Sequence, residues 1–172
     1  WVREQVELLQ SLAMAAGTGV TYVKPHGALY NRVVDDAEQA AAVLDGSGDL
    51  PVFGLPGAEV LRLASERGRT VVGEGFPDRG YTHEGRLVPR DQPGALVSDP
   101  DLVADNAVEL ARSESVQTIC VHGDSPGSEL DRERAGEGEL RMLRGRVRAD
   151  RHGSRDRDDV DEVAFVRRAV AA

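Results

Sequence analysis

Apolar residues along the chain alternate between helix-like periodicity and short continuous runs. Val2, Val6, Leu8, Leu9, Leu12 and Ala15 recur at the spacing of an amphipathic helix, which Gly17 and Gly19 end. A β-type run, Gly19 to Val23, follows. Asp35 or Asp36 is placed to cap a helix through Ala37, Ala41 and Leu44, which Gly46 and Gly48 stop. Pro51 to Leu55 is continuously apolar and predicts a buried strand. Gly57 to Arg67 predicts a helix with Val60, Leu61 and Ala64 on one face, and Thr70 to Val72 a third strand. After a polar turn region, His83 to Pro93, Asp99-Pro100 opens a helix whose apolar face is Leu102, Val103, Ala107, Leu110 and Ala111. Val116 to Val121 reads as the fourth strand. Short apolar strands alternating with helices predict an α/β fold with βαβ units and a parallel sheet. Strands covered on both faces read as continuous apolar runs, as these do.

The pattern breaks after Ser128. Residues 129–172 carry arginine and acid in similar number and show no apolar stripe until Val160 to Val170. This predicts a folded region over 1–128 and a charged, poorly ordered tail over 129–172. A length of 172 residues suits one domain with a sizeable core. A net charge of −9 argues against a nucleic acid or an anionic membrane as partner, because no basic face is left over to neutralise phosphates. No apolar run approaches the roughly 18 residues needed to span a bilayer. The single cysteine, Cys120, excludes an internal disulfide, so the expected location is the reducing cytoplasm. Lying within an apolar run, it is expected to be buried and inert.

In a parallel α/β fold, functional groups collect at the carboxyl ends of the strands. The first such end, Val23-Lys24-Pro25-His26-Gly27-Ala28-Leu29-Tyr30-Asn31, holds the chain's one lysine among 21 basic residues. An ammonium is compact and responsive to burial where a guanidinium is neither, so the choice of Lys24 carries information. Later ends supply Glu74, Asp78, Arg79 and Tyr81, then His122 and Asp124. With the strands so assigned, these groups are expected to converge on one pocket. Several readings stay open. Lys24 is either a functional cation or a buried partner of Glu74 or Asp124. His122-Gly123-Asp124 is a metal-ligand pair, a base with its orienting carboxylate, or a capping turn. Arg79 and Arg90 match a substrate carboxylate through the guanidinium fork. Glu74 and Asp78 flank Pro77, so together they require a loop constellation rather than one regular strand. No Walker loop, no GxGxxG after a strand and no paired zinc-ligand spacing occurs.

Four motifs give these residues a specific likeness. Val23 to Asn31, Glu74-Gly75-Phe76-Pro77-Asp78-Arg79-Gly80-Tyr81, Leu87-Val88-Pro89-Arg90 and Cys120-Val121-His122-Gly123-Asp124-Ser125-Pro126-Gly127 resemble, in order and spacing, consecutive motifs of the LamB/YcsF family. The resemblance covers residues 1–128 and implies a TIM-like, irregular β/α barrel, shaped like polysaccharide deacetylases. It implies the A subunit of the bacterial 5-oxoprolinase, which cleaves 5-oxo-L-proline to L-glutamate, with ATP as co-substrate and subunits B and C as partners. A divalent metal, such as the Mg²⁺ that accompanies ATP, goes with that chemistry. It further implies a site containing Lys24, His26, Glu74, Asp78, His122 and Asp124 as catalytic groups, with Tyr30, Arg79 and Arg90 binding substrate.

The family's acidic opening motif and a further His-x-Gly-Asp-like motif would precede Trp1, so part of the barrel is expected upstream of this sequence. A part-barrel exposes sheet edges, which predicts pairing with another copy. The divergence after Ser128 is read as a change of reading frame. The runner-up reading is a metal-dependent deacetylase-type hydrolase with His26, His122 and Asp124 around an activated water. A third is a non-catalytic subunit that holds substrate for subunits B and C.

Overall fold

A computed structural model describes residues 1–122 and the backbone of residues 162–166. The chain divides into two compact units, Trp1–Glu74 and a second that begins at Gly75.

The first unit runs α1 (Val2–Ala15), α2 (Gly27–Asp35), α3 (Ala37–Gly46), β1 (Val52–Gly54), α4 (Glu59–Glu66) and β2 (Val71–Gly75), whose last residue opens the second unit. β1 and β2 pair in parallel, with Val52 opposite Val71 and Gly54 opposite Gly73. The helices bury Val33 of α2, Ala40, Val43 and Leu44 of α3, and Val60, Leu61 and Ala64 of α4. The α4 face is the one the helical spacing singled out, whereas in α3 only Leu44 of the expected face is buried, Ala37 being exposed and Ala41 half-buried. Asp36 caps α3 by accepting from the Gln39 backbone N–H at 3.0 Å, and that bond holds its carboxyl below the usual range. The buried guanidinium of Arg69 donates to the carbonyls of Leu44 and Leu50 and to Ser47 Oγ, tying the end of α3 to the lead-in of β1. Burial pushes its pKa down.

The run from Gly19 to Val23 differs from expectation: it pairs only at Val23, which bridges Val52 in parallel. Val23 donates to the Pro51 carbonyl at 2.8 Å, and Phe53 donates back to Val23 at 3.0 Å. The next rung toward the N-terminus requires an N–H at position 51. Proline has none, so the ladder stops there.

In the second unit, residues 76–97 form a folded loop with bridges Arg79–Leu96 and Tyr81–Leu87. Helix α5 (Pro100–Arg112) is capped by Asp99, whose side chain accepts from the backbone N–H groups of Asp101 and Leu102. Ala107 and Leu110 of α5 pack with Val116, Ile119 and Val121, around β3 (Thr118–His122), in which Cys120 is fully buried. The last strand, β4 (Glu162–Val166), runs antiparallel to β3, with His122 opposite Glu162. An antiparallel neighbour was not expected. It lies in the apolar stretch that interrupts the charged segment; residues 123–161 and 167–172 of that segment lie outside the described residues.

Candidate functional site

The first cluster is built by the register of the parallel strands. Val23 and Val71 sit level with each other on either side of Val52. Lys24 is therefore level with Val72, and Glu74, two residues further along, points to the same face as Lys24. Their side chains meet there: Lys24 Nζ lies 3.0 Å from Glu74 Oε1, with the lysine side chain 9% exposed and the glutamate 0%. Of the two partners open to Lys24 in the sequence, Glu74 is the one found; Asp124 lies outside the described residues. A charged pair this withdrawn from water is costly to desolvate and depends on each partner for the other's compensation.

The remainder of that motif turns into α2. His26 occupies the N-cap position in extended backbone, and its carbonyl accepts from Tyr30 N–H at 3.4 Å. Gly27 follows with φ +57°, a conformation that a side chain would strain, which accounts for glycine after the histidine. His26 is exposed and Tyr30 is buried beside Val33 and Val34 on the inner face of α2. A helix of its own thus begins inside the motif, an element the hydrophobic pattern did not single out.

The second cluster joins the turn after Pro77 to the end of β3. Asp78 is buried, and its Oδ2 accepts from the His122 backbone N–H at 2.8 Å and lies 2.9 Å from His122 Nδ1. Its Oδ1 is buried with no hydrogen-bond donor among the described residues. Phe76 stacks on the His122 ring, centroids 5.4 Å apart and planes inclined by 21°. A carboxylate thus reaches His122 from Asp78, 44 residues away, a partner the sequence reading did not offer. Asp124, one of whose three open readings was that of orienting carboxylate, lies outside the described residues. Phe76 was missed as a site residue because an apolar residue inside a motif looks like core.

Arg79 is buried. Its Nε donates to the Ala95 carbonyl at 3.0 Å and its Nη2 to the Val88 carbonyl at 2.8 Å, so its fork binds the loop's own backbone. Gly80 makes this approach feasible. A Cβ there would sit 1.9 Å from the Gly94 carbonyl oxygen. Tyr81 Oη accepts from Phe76 N–H at 2.8 Å, which closes the turn carrying Asp78. Arg90 lies exposed on the same loop. A cavity of about 420 Å³ opens between this loop and α5, lined by Phe76, Arg79, Tyr81, Val97, Asn106 and Leu110 among others. Among the described residues, no three His, Cys, Asp or Glu side chains gather to hold a metal ion, and no helix is long and apolar enough to cross a membrane.

Strand ends that carry a buried lysine–glutamate pair in one unit and a histidine–aspartate pair in the other define an α/β protein with polar chemistry at its strand ends. The profile of the LamB/YcsF family matches residues 1–134, and the chain belongs to that family. It is 50% identical over 143 residues to the 5-oxoprolinase A subunit of Streptomyces avermitilis, covering 74% of this chain and 57% of that protein. With a 5-oxoprolinase A subunit of Agrobacterium fabrum it shares 46% identity over 140 residues, 72% of this chain and 55% of the relative. The chain spans about half the length of the curated relatives it matches. The crystal structure of the lactam utilization protein from Thermus thermophilus is similar at a TM-score of 0.69 and 30% identity, over 83% of this chain and 63% of that one. The α/β fold of TIM-like type expected from the sequence is the fold of this chain.

Proposed function

We propose that the protein carrying this sequence is the A subunit of a 5-oxoprolinase, acting with subunits B and C to cleave 5-oxo-L-proline to L-glutamate at the expense of ATP. The observation that carries this reading is the 50% identity to a protein of that name, beside a family profile whose match over residues 1–134 takes in the Lys24, Glu74, Asp78 and His122 motifs. A five-membered lactam is a resonance-stabilised amide, and its oxygen needs activation before water can attack the carbonyl carbon. Phosphoryl transfer from ATP to that oxygen supplies the activation. Water then adds to the activated carbon, the C–N bond breaks as the nitrogen takes a proton, and a second water hydrolyses the resulting acyl phosphate to the carboxylate and inorganic phosphate.

In this scheme Lys24 faces the negative charge that develops on the lactam oxygen, with Glu74 fixing the ammonium. His122 accepts the proton of the attacking water, and His26 is the second candidate for proton transfer. Because the Arg79 fork is engaged by two backbone carbonyls, the substrate carboxylate is assigned to Arg90, with Tyr30 and Asp124 kept as members of the site. A divalent cation accompanies ATP.

Substrate-stimulated ATP hydrolysis tests the reading. With subunits B and C present, 5-oxo-L-proline should stimulate ADP formation, and neither an N-acetylated sugar nor a five-membered lactam without the carboxylate should. Release of acetate from the sugar, without ATP, would favour the deacetylase-type reading instead.

A further inference from the structure

We infer that Asp78 is the positioning residue of His122, holding the imidazole as its Nδ1–H tautomer so that Nε2 is the ring nitrogen left to take a proton. This deepens the proposed function, since it rests on His122 as the group that accepts a proton from water.

One carboxylate oxygen carries the argument. Asp78 Oδ2 meets two nitrogens of the same residue, the His122 backbone N–H at 2.8 Å and Nδ1 at 2.9 Å. A backbone amide can only donate, so Oδ2 is fixed as an acceptor. An ionised carboxylate has no proton to give, so the contact with Nδ1 requires the ring proton to be on Nδ1. Neutral imidazole free in water favours the proton on Nε2, and the site therefore imposes the form that solution disfavours. Phe76 adds a restraint of a different kind. Stacked at 5.4 Å with planes 21° apart, it opposes rotation of the ring about its own axis, which is the motion that would exchange Nδ1 for Cδ2 at Asp78.

The carboxylate is buried and the imidazole is 22% exposed, so the ring retains contact with solvent while its orienting partner does not. When Nε2 takes a proton, the positive charge that the ring acquires faces Asp78. Asp78 thus acts through His122 and needs no contact with the substrate.

The arrangement also predicts what an amide would do at this position. In Asp78→Asn the His122 backbone N–H still demands an oxygen at the Oδ2 position. The side-chain NH₂ is then directed to the Oδ1 side, where no donor among the described residues opposes it. The amide oxygen continues to accept from Nδ1–H, and the tautomer survives. Asp78→Ala removes the acceptor and releases the ring to its solution preference.

Long-range ¹H–¹⁵N correlation spectra of the ¹⁵N-histidine-labelled full chain, at a pH where the rings are neutral, read the tautomer directly. His122 is identified by its loss in His122→Gln. The expected wild-type spectrum has Nε2 as the pyridine-like nitrogen. Asp78→Asn should retain it there, and Asp78→Ala should move it to Nδ1. A wild-type His122 with a pyridine-like Nδ1 overturns the inference, as does an Asp78→Ala spectrum identical to wild type. If the alanine variant does not fold, Asp78→Asn decides, because a switch to pyridine-like Nδ1 contradicts the acceptor argument. No substrate is involved, so failure here is distinguishable from failure of the lactam reading, which appears as absent turnover with an intact tautomer. In an active complex, Asp78→Ala should lower kcat by about 10²-fold with KM little changed, and Asp78→Asn should recover part of the loss.

Discussion

Replacing Glu74 by glutamine should be among the most damaging conservative changes in the first unit. The substitution keeps the shape of the side chain and removes its charge, which leaves Lys24 with 9% side-chain exposure and no carboxylate at its 3.0 Å contact. At an effective dielectric of about 20, two unit charges 3 Å apart attract by about 5.5 kcal/mol, a gross value that desolvation of both ions offsets. Removing one partner of a buried pair costs up to about 3–5 kcal/mol, because the remaining charge keeps its desolvation penalty and loses this counter-charge. Against a total stability of about 5–15 kcal/mol this is a large loss. Urea denaturation of the full chain is the assay. With a slope of about 2 kcal/mol per molar, a 3 kcal/mol loss lowers the midpoint by about 1.5 M at unchanged slope. Lys24→Met/Glu74→Leu should recover most of the loss, since an apolar pair of similar volume carries no stranded charge. A Glu74→Gln midpoint close to the parent's would refute the reasoning, as would additivity of the two single changes in the double-mutant cycle.

Other parts of the framework give further expectations. Gly80→Ala places a Cβ 1.9 Å from the Gly94 carbonyl oxygen and should cost at least about 1–3 kcal/mol through displacement of the loop, seen as faster amide exchange at Val88 and Val97. Arg69→Met leaves the Leu50 carbonyl without its Arg69 donor, while Leu44 keeps its bonds from Ser47, and should destabilise by about 1–3 kcal/mol in the same urea assay. Asp99→Ala removes the cap of α5 and should cost about 1 kcal/mol, detected as a lowered melting midpoint. Asp36 has a folded pKa below 3.8 because the Gln39 N–H bonds its charged form, so its contribution is present above that value and lost as the pH falls through the folded pKa. The stability difference between wild type and Asp36→Ala should therefore shrink on acidification.

How far the sequence reached can be traced to the range of each signal. Local signals held for the capping aspartates Asp36 and Asp99, the face of α4 and the apolar runs of β1 and β3, which depend on residues within a few positions of one another. Of the faces expected in α3 and α5, however, Ala37 and Leu102 are exposed. The ladder at Val23 was overestimated because its length is decided by the missing N–H of Pro51, a property of the partner strand. The Asp78–His122 pair was hidden for a related reason. The sequence offers Asp124 two residues from His122, and nothing local indicates that a turn 44 residues earlier delivers a second carboxylate to the backbone N–H and ring of His122. Arg79 shows the same non-local reach: its guanidinium donates to the Ala95 and Val88 carbonyls, 16 and 9 residues away, which no local pattern indicates. Glu74 was one of two partners the sequence offered Lys24, because both lie near the ends of expected strands; the register that brings them together is set by Val52.

The most direct test of the account is ATP-dependent conversion of ¹³C-labelled 5-oxo-L-proline to L-glutamate, followed by NMR, with the protein carrying this sequence assembled with subunits B and C. Glutamate should appear together with ADP in the wild type and fall by orders of magnitude in Lys24→Ala and His122→Ala. Glutamate formed at near wild-type rates by both variants would contradict the assignment of chemistry to these strand ends, and none formed by the wild-type assembly would contradict the function itself.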